Sequence, residues 1–324
     1  MNNAVYKVGY LLIKELDIEN ANAQSGSVIY GSPSILSIKG SFHNLSRKLA
    51  ANSELADMQV SLQGVLIASH KCEVLAQRLN IFKDYTFSQR KAAPSTPSDY
   101  AKLTAGKPPS IIQQAYCHTT MSFVVEVFCA REPTSAEKEA LVKSTHRLIQ
   151  QQPMAAGSVR SFRLNEDKVR YIETEDLSDV AFEIKKAYII MDASTELQDI
   201  IDERCDENFS PLDALIEVFT LHHTPTVMPN NEVSWETSSI ERGRVFLSPI
   251  TTGYIGISPL YDAGVMENSR APNIQNQYVE SVYGLGRWVL PHKLRLDEQL
   301  ETAFWRYQYR PDSSLYMVTQ DDLI

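Results

Sequence analysis

Four histidines are the residues of this chain best suited to acid–base chemistry. Imidazole titrates near neutral pH, so a histidine paired with Tyr30 or with a lysine could cleave a phosphodiester such as RNA. The four histidines are His43, His70, His118 and His146. Their spacing defines no common site, and an isolated histidine is more often structural. The sequence therefore favours a protein without catalysis and keeps RNA cleavage as the minor alternative.

The remaining groups that could hold a metal or serve as a nucleophile lack the required spacing. His222 and His223 are adjacent, so they point in different directions in a helix or a strand. The four cysteines form no CxxC pair, which indicates reduced, mostly buried thiols. HExxH, GxSxG and P-loop motifs are absent from the sequence. We therefore expect no enzyme activity, no metal and no cofactor.

A run of amide and hydroxyl side chains follows the first predicted strand. It consists of Asn20, Asn22, Gln24 and Ser25. Such groups can read the edges of unstacked bases, but they can equally close an Asx-type turn and cap the next helix. These residues alone support the two interpretations about equally.

Basic residues on the helix after this loop are a second candidate for binding. His43 and Arg47 are four apart and therefore share a helix face. Arg47 and Lys48 could meet a phosphate there. From sequence alone, a solvated basic face explains them more simply.

The stretch Gly284-Leu285-Gly286-Arg287-Trp288 is predicted to be a glycine-rich turn at the end of a helix over 274–283. Glycines allow another backbone to approach closely, Arg287 could bind a phosphate, and Trp288 could stack on a base. A helix C-cap followed by a core tryptophan explains the same residues and is the commoner pattern.

The charge of the chain is unevenly distributed around a net of −9. Residues 1–163 carry 18 Lys and Arg against 12 Asp and Glu, whereas residues 164–217 carry 5 against 16. This asymmetry suggests a polyanion-binding face in the N-terminal half, around His43, Arg47 and Arg78, and a different partner or solvent at the acidic segment. Solubility alone remains the alternative.

Hydrophobic periodicity predicts the elements that position these side chains. The N-terminal half reads strand, helix, strand, strand, helix, strand, at 6–16, 32–51, 58–75, 116–130, 133–152 and 158–164. Further strands are predicted at 187–191, 244–250, 253–258 and 315–319, and further helices at 195–204, 211–221, 274–283 and 297–307.

This element order predicts an α+β protein whose N-terminal domain is ferredoxin-like, the arrangement that RNA-recognition motifs share. We predict this domain over 1–163 with a loop insertion at 84–110. An acidic inserted lobe over 164–240 and a C-terminal α/β segment over 241–324, packed on the first domain, complete the prediction.

The N-terminus holds only a short apolar run, at 8–13. It is too short for a signal-peptide core with a cleavage site. No stretch of the sequence approaches the roughly 18 apolar residues that a membrane-spanning helix needs. We therefore expect a cytoplasmic protein without a membrane partner.

Two segments resemble one known family. The first, at 17–49, contains an N-A-N-A loop before a small-residue turn and a helix; the second, at 253–294, contains S-P-L-Y and then E-S-V-Y-G-L-G-R-W. Together they resemble the Cas-five-type RAMP subunit of type I-F CRISPR surveillance complexes, also called Csy complexes. The match covers both ends of the chain, about a quarter of it.

The resemblance implies a non-catalytic subunit that holds the 5′ handle of the guide RNA. It further implies pairing with the large subunit of the complex, contact with a backbone subunit, and only indirect contact with target DNA. RAMP proteins commonly place a glycine-rich loop against RNA. The RNA-binding residues expected on this basis are Asn20, Asn22, Gln24, Ser25, His43, Arg47, Arg78, Gly284, Gly286, Arg287 and Trp288.

Two other functions remain open from the sequence. One is a protein-only assembly scaffold without RNA contact, in which the acidic lobe and the C-terminal aromatics form partner interfaces. Those aromatics are Phe304, Trp305, Tyr307 and Tyr309. The other is an RNA-processing endoribonuclease.

Overall fold

The fold is mixed α+β, and its strand pairs given below are antiparallel. A computed structural model describes residues 5–78, 80, 86–91, 97–107, 111–204, 210–229, 232–238, 246–267, 269, 271–294 and 296–320. The chain divides into two units, one made of Met1–Gln63 with Ser69–Thr174, the other of Gly64–Ala68 with Glu175–Ile324. Residues 175–240 of the predicted acidic lobe thus fall in one unit with the predicted C-terminal segment, whereas residues 164–174 fall in the first unit.

The first unit contains most of the N-terminal elements. In chain order they are β1 (Tyr6–Asn22), α1 (Ile35–Ala50), β2 (Ser61–Val74), β3 (Ala76–Gln77), β4 (Thr86–Lys91), α2 (Pro97–Thr104), β5 (Ile111–Gln114), β6 (Tyr116–Cys129), α3 (Ser135–Ile149), β7 (Ser158–Val159) and β8 (Val169–Ile172). Residues Gly64–Ala68 of β2 belong to the second unit. Single 3₁₀ turns lie at Ala56–Met58 and Leu164–Glu166.

The main sheet of this unit has the strand order β2-β6-β1-β7, and β8 also pairs with β1. β1 is the central strand because its run from Val8 to Ile13 is apolar or small and fully buried. A strand buried on both faces reads as a continuous apolar run rather than an alternating one. The strands predicted at 6–16, 58–75 and 116–130 are therefore confirmed.

Two helices pack beside each other in this unit. α1 buries an apolar stripe, and its Phe42 ring meets Phe123 of β6 edge to face, with the ring centroids 5.1 Å apart. α3 begins with a capping box, in which Thr134 and Glu137 satisfy each other's backbone N–H groups. Hydrogen bonds to Arg131 and Thr134 lower the pKa of Glu137 to about 2. Both helices predicted from periodicity are confirmed.

Two predictions in this unit need correction. The insertion at 84–110 is not a plain loop, because its described part contains β4 and α2, and β3, β4 and β5 form a three-stranded sheet. Residues 84–85, 92–96 and 108–110 of that prediction lie outside the described residues. The strand predicted at 158–164 is only Ser158–Val159, since the chain then enters the 3₁₀ turn.

The second unit contains the remaining elements. They are α4 (Leu177–Glu183), β9 (Tyr188–Asp192), α5 (Ser194–Arg204), α6 (Pro211–Phe219), β10 (His222–Val227), β11 (Val233–Ser238), β12 (Leu247–Gly256), β13 (Val279–Val289), α7 (Asp297–Glu301), β14 (Arg306–Arg310) and β15 (Leu315–Thr319). Single 3₁₀ turns lie at Pro291–Lys293 and Pro311–Ser313, and another at Thr174–Asp176 begins at the boundary of the two units.

The sheet of the second unit runs β14-β15-β12-β13-β9. α5 and α6 supply buried side chains to one core cluster with β12 and β13, which includes Ile200, Val218, Leu247 and Leu285. Trp305 is fully buried, and its backbone exchanges two hydrogen bonds with Val65.

The sequence predicted several elements of this unit wrongly. No helix forms at 274–283: residues 274–278 are a loop, and residues 279–283 are the first part of strand β13. The helix at 297–307 ends at Glu301, and β14 follows. The two strands at 244–250 and 253–258 are one strand, β12, with a register shift between Thr251 and Gly253. Phe304 and Trp305, which the scaffold alternative places at a partner interface but which suit a protein core equally well, are buried core residues, whereas Tyr309 is exposed.

Candidate nucleic-acid interface

The predicted polar loop lies at the end of β1 in the first unit. β1 pairs with β6 as far as Asn22 opposite Tyr116, and then turns back on itself. Gln24 pairs with Tyr30, and the N–H of Ser25 donates to the carbonyl of Ile29 at 3.1 Å. Asn20, Asn22 and Gln24 are exposed. The structure therefore brings these amide side chains together; we call Asn20, Asn22, Gln24 and Ser25 the polar cluster.

Two members of the polar cluster take part in its local geometry. Asn20 has φ 54°, in the left-handed region that asparagine tolerates better than most residues, and its N–H donates to Nδ1 of His118 at 3.2 Å. Asn22 Oδ1 accepts from the N–H of Gln24 at 3.0 Å, which is an Asx turn. The interpretation that these residues close an Asx-type turn thus holds for the side-chain oxygen of Asn22. The Asn20 side chain projects from the strand without forming such a turn.

A tight turn of the same chain, at residues 154–157, packs against the strand that carries the polar cluster. The N–H of Asn22 donates to the carbonyl of Ala155 at 2.9 Å. Ala155 and Ala156 both have positive φ, 48° and 65°, an uncommon conformation for alanine. At Gly157 an added Cβ would lie 2.7 Å from the backbone nitrogen of Ala21. Close backbone packing therefore fixes where the polar cluster sits.

The predicted basic residues of the first unit are exposed. His43 and Arg47 lie on the second half of α1, with Arg47 in its last turn. Arg78 directly follows β3 and is also exposed. These three side chains are exposed, and their contribution to binding a polyanion stays a prediction.

Gly284 and Gly286 are not in a turn, which corrects the prediction of a glycine-rich loop. Both lie inside β13, where Gly284 pairs with Ile250 and Gly286 pairs with Ser248 and Asp192. An added Cβ at Gly286 would lie 2.8 Å from Cδ1 of Ile190. Packing across the sheet favours a small residue at Gly286, because an added Cβ would also crowd Ile250. Contact of these two positions with RNA stays a prediction.

Arg287 and Trp288 line a pocket in the second unit with a volume of about 720 Å³. We call it the Trp288 pocket. Its lining residues are Met191, Asp192, Glu196, Phe246, Leu247, Arg287, Trp288, Val289, Lys293 and Leu294. Phe246 is exposed and has φ 74°, and its ring is tilted against Tyr188 with centroids 5.6 Å apart. The pocket therefore combines aromatic surface with two cationic side chains.

Arg287 is already engaged in this pocket. Its guanidinium forms an ion pair with the Glu196 carboxylate from α5. A phosphate bound by Arg287 would have to compete with that carboxylate. Sequence reasoning found Arg287 and Trp288 but missed Glu196 and Phe246, because strand pairing and helix packing, not local sequence, bring these two residues to the pocket.

The four histidines considered for catalysis do not form a common site. His43 is exposed on α1, and His118 receives the N–H of Asn20. His70 Nε2 lies 2.7 Å from Ser122 Oγ, and burial lowers the pKa of His70. The His146 ring packs edge to face on Phe162.

Within the described ranges, no group of three or more His, Cys, Asp and Glu side chains is arranged to hold a metal ion. The helices in those ranges are also too short or too polar to cross a membrane.

Comparison with known proteins identifies the class as CRISPR-associated. The family model for CRISPR-associated protein (Cas_Csy2) matches residues 11–318. Because this match spans both units, the chain belongs to the Csy2 family of CRISPR-associated proteins. The CRISPR-associated protein Csy2 of Pseudomonas aeruginosa (strain UCBPP-PA14) is 24% identical over 335 residues, which cover 94% of this chain and 93% of that protein. The predicted membership of the Csy group is thereby confirmed.

Proposed function

We propose that this chain is a non-catalytic, RNA-binding subunit of a type I-F CRISPR surveillance complex in the cytoplasm. It holds the 5′ handle of the guide RNA, pairs with the large subunit and contacts a backbone subunit; target DNA is reached only through the complex. The observation that carries this proposal is the family match over residues 11–318, which includes both the polar cluster and the Trp288 pocket.

The fold of the first unit supports a ferredoxin-like RAMP domain. Its strand order, β2-β6-β1 followed by β7 and β8, places the first strand beside the third and the last, and two helices cross over between strands. A ferredoxin-like unit has this order. RNA-recognition motifs use the same scaffold, so an RNA-binding role is consistent with the first unit.

The chemistry of the two candidate sites supports complementary roles. The polar cluster offers uncharged donors and acceptors, which suit base edges, whereas the Trp288 pocket offers Arg287 and Lys293 for phosphate and Trp288 and Phe246 for stacking. Base contacts carry sequence information and phosphate contacts do not. The two sites are therefore expected to differ in how their variants affect different RNA sequences.

Asn20→Gly tests the base-reading role of the polar cluster. Glycine adopts φ 54° without strain, so this change removes the amide side chain and leaves the turn intact. We expect handle RNA to bind about 1–3 kcal/mol more weakly, with relaxed preference at one handle position. The measurement is fluorescence anisotropy with the parent handle and single-base variants of it.

A matched control for Asn20→Gly is Gln59→Gly. Gln59 also has positive φ, 50°, is exposed and follows the 3₁₀ turn at Ala56–Met58. Its replacement should leave RNA affinity within experimental error. Equal affinities of parent, Asn20→Gly and Gln59→Gly for every handle variant would contradict base reading at Asn20.

Substitutions of Arg287 and of its ion-pair partner Glu196 test whether the Trp288 pocket binds phosphate. Arg287→Ala should weaken binding by a similar factor for all RNA sequences and reduce the salt slope by about one. Glu196→Gln should strengthen binding, because it removes the carboxylate that competes with phosphate for Arg287. Unchanged affinity in both variants, measured at several salt concentrations, would show that Arg287 serves only its ion pair.

The purified protein is expected not to cleave RNA, with or without divalent metal. His43, His118 and His146 each have different surroundings, and the one histidine of the four shown beside a hydroxyl, His70, contacts Ser122, which is 1% exposed and therefore out of reach of RNA. A gel assay with labelled CRISPR repeat RNA is the measurement. Specific cleavage that His118→Ala or His70→Ala abolishes would support the endoribonuclease alternative instead.

A further inference from the structure

The β10–β11 hairpin of the second unit leaves nearly its whole surface exposed. The strands pair from His222 opposite Ser238 to Val227 opposite Val233, and every residue of both strands except Ser238 is exposed. Neither strand pairs with a further strand in the part of the chain that the structure describes. Because a two-stranded hairpin is at best marginally stable in water, a surface that covers it would stabilise it.

The register divides this hairpin into an apolar face and a polar face. Residues directly opposite each other in an antiparallel pair point to the same side. Pro225 lies opposite Trp235, and Val227 lies opposite Val233, so these four side chains share one face. At the base of that face are His223 and Thr237, and the other face is formed by His222, Thr224, Thr226, Ser234, Glu236 and Ser238.

The apolar face is not covered by the protein's own core. Trp235 is 64% exposed and Val227 is 68% exposed. Large apolar side chains are also exposed close by in the sequence, at Leu212, Ile216, Leu221 and Met228. Clustered exposed apolar surface with a polar border marks an interaction site in soluble proteins.

The charge of this region decides which kind of partner fits. Between Arg204 and Arg242 the sequence contains no Lys or Arg, but it contains seven Asp and Glu residues. They are Asp206, Glu207, Asp213, Glu217, Glu232, Glu236 and Glu241. Nucleic-acid binding depends on cationic side chains that neutralise phosphates, so a polyanion would be repelled here. A protein surface with an apolar groove and a basic rim is complementary both to the apolar face and to Glu232 and Glu236 of the hairpin, which are exposed.

We propose that the apolar face of the β10–β11 hairpin inserts into an apolar groove, rimmed by Lys and Arg, on another protein subunit of the same complex. Trp235 is the anchor, since a large aromatic side chain that becomes fully buried carries a disproportionate share of binding free energy. The inference rests on the proposed function only in assigning the partner to the complex. It adds a dedicated protein-docking element that is separate from the RNA-binding sites.

The test uses two double variants of the full chain that alter the same strands on opposite faces. Val233→Thr with Trp235→Thr removes the apolar face but keeps β-branched residues, and Thr226→Ser with Ser234→Thr alters only the polar face. Both should melt like the parent in isolation, because their side chains are already exposed. Each is co-expressed with the large and backbone subunits of its complex, and assembly is measured by affinity purification and size-exclusion chromatography.

We expect the apolar-face variant to assemble at least tenfold more weakly than the parent and the polar-face variant to assemble normally. A photo-cross-linker in place of Trp235 should form an adduct with a protein subunit. Normal assembly of both variants would overturn the proposal, and so would a cross-link to RNA. If the parent chain fails to bind guide RNA but assembly still depends on Val233 and Trp235, the proposed RNA function fails and the docking element stands.

Discussion

Trp305→Ala is expected to lower the free energy of unfolding of the second unit by about 3–5 kcal/mol. Trp305 is the largest fully buried side chain, and its indole Nε1 donates to the carbonyl of Ile190 at 3.1 Å. Alanine would leave a cavity and remove a donor from a carbonyl that Gln320 then satisfies alone. The loss should appear as a lower urea midpoint of the near-UV signal.

A second tryptophan of the same unit provides the control for this measurement. Trp235 is mostly exposed on the β10–β11 hairpin, so Trp235→Ala in the isolated chain should change the free energy of unfolding by less than about 0.5 kcal/mol. If the two tryptophan variants unfold at similar urea concentrations, Trp305 does not pack as the structure shows.

Gly157→Ala is expected to destabilise the first unit by about 3 kcal/mol and to weaken RNA binding. The added Cβ would lie 2.7 Å from the nitrogen and 2.8 Å from the Cα of Ala21, and 2.8 Å from the carbonyl oxygen of Glu19. These are backbone atoms, so the clash cannot be relieved by rotating a side chain. The chain that carries the polar cluster must move instead, which is why both stability and handle affinity should fall.

Gly40→Ala is the matched control, since the same change is made where space is open. Gly40 lies within α1, is exposed, and has no atom within 4 Å of an added Cβ. Alanine should stabilise the helix there by about 0.5–1 kcal/mol. Thermal melts and RNA titrations of both variants are the measurements, and a Gly157→Ala protein that melts at or above the parent temperature would refute the close packing at Ala21.

The strongly patterned elements of the fold could be predicted from sequence. β1, β6, α1 and α3 have apolar runs or helical spacing that few other conformations satisfy. β13 could not be predicted, because its glycines locally indicate a turn. The side chains that leave little space for a Cβ at Gly286 are Ile190 and Ile250, which are far away in the sequence. The β10–β11 hairpin was missed because the alternation of its two faces becomes visible only when the register is known.

The candidate sites could be predicted only where their residues are close together in the sequence. The amide side chains of the polar cluster are contiguous in sequence, so their grouping needs no tertiary information. The Trp288 pocket depends on Glu196 from α5 and on Phe246 directly before β12, which no local pattern connects to Trp288. The burial of Phe304 and Trp305 could not be decided from sequence, since composition alone does not distinguish a core from an interface.

The membership of residues Gly64–Ala68 in the second unit limits how this protein can be dissected. A fragment that begins at Glu175 contains Trp305 but lacks Val65, whose backbone exchanges two hydrogen bonds with it. That fragment would leave those backbone groups of Trp305 without their partners. During synthesis, Val65 leaves the ribosome long before Trp305. The two hydrogen bonds between these residues can therefore form only after most of the chain has been made. The late closure of this contact is the kind of non-local step that slows folding.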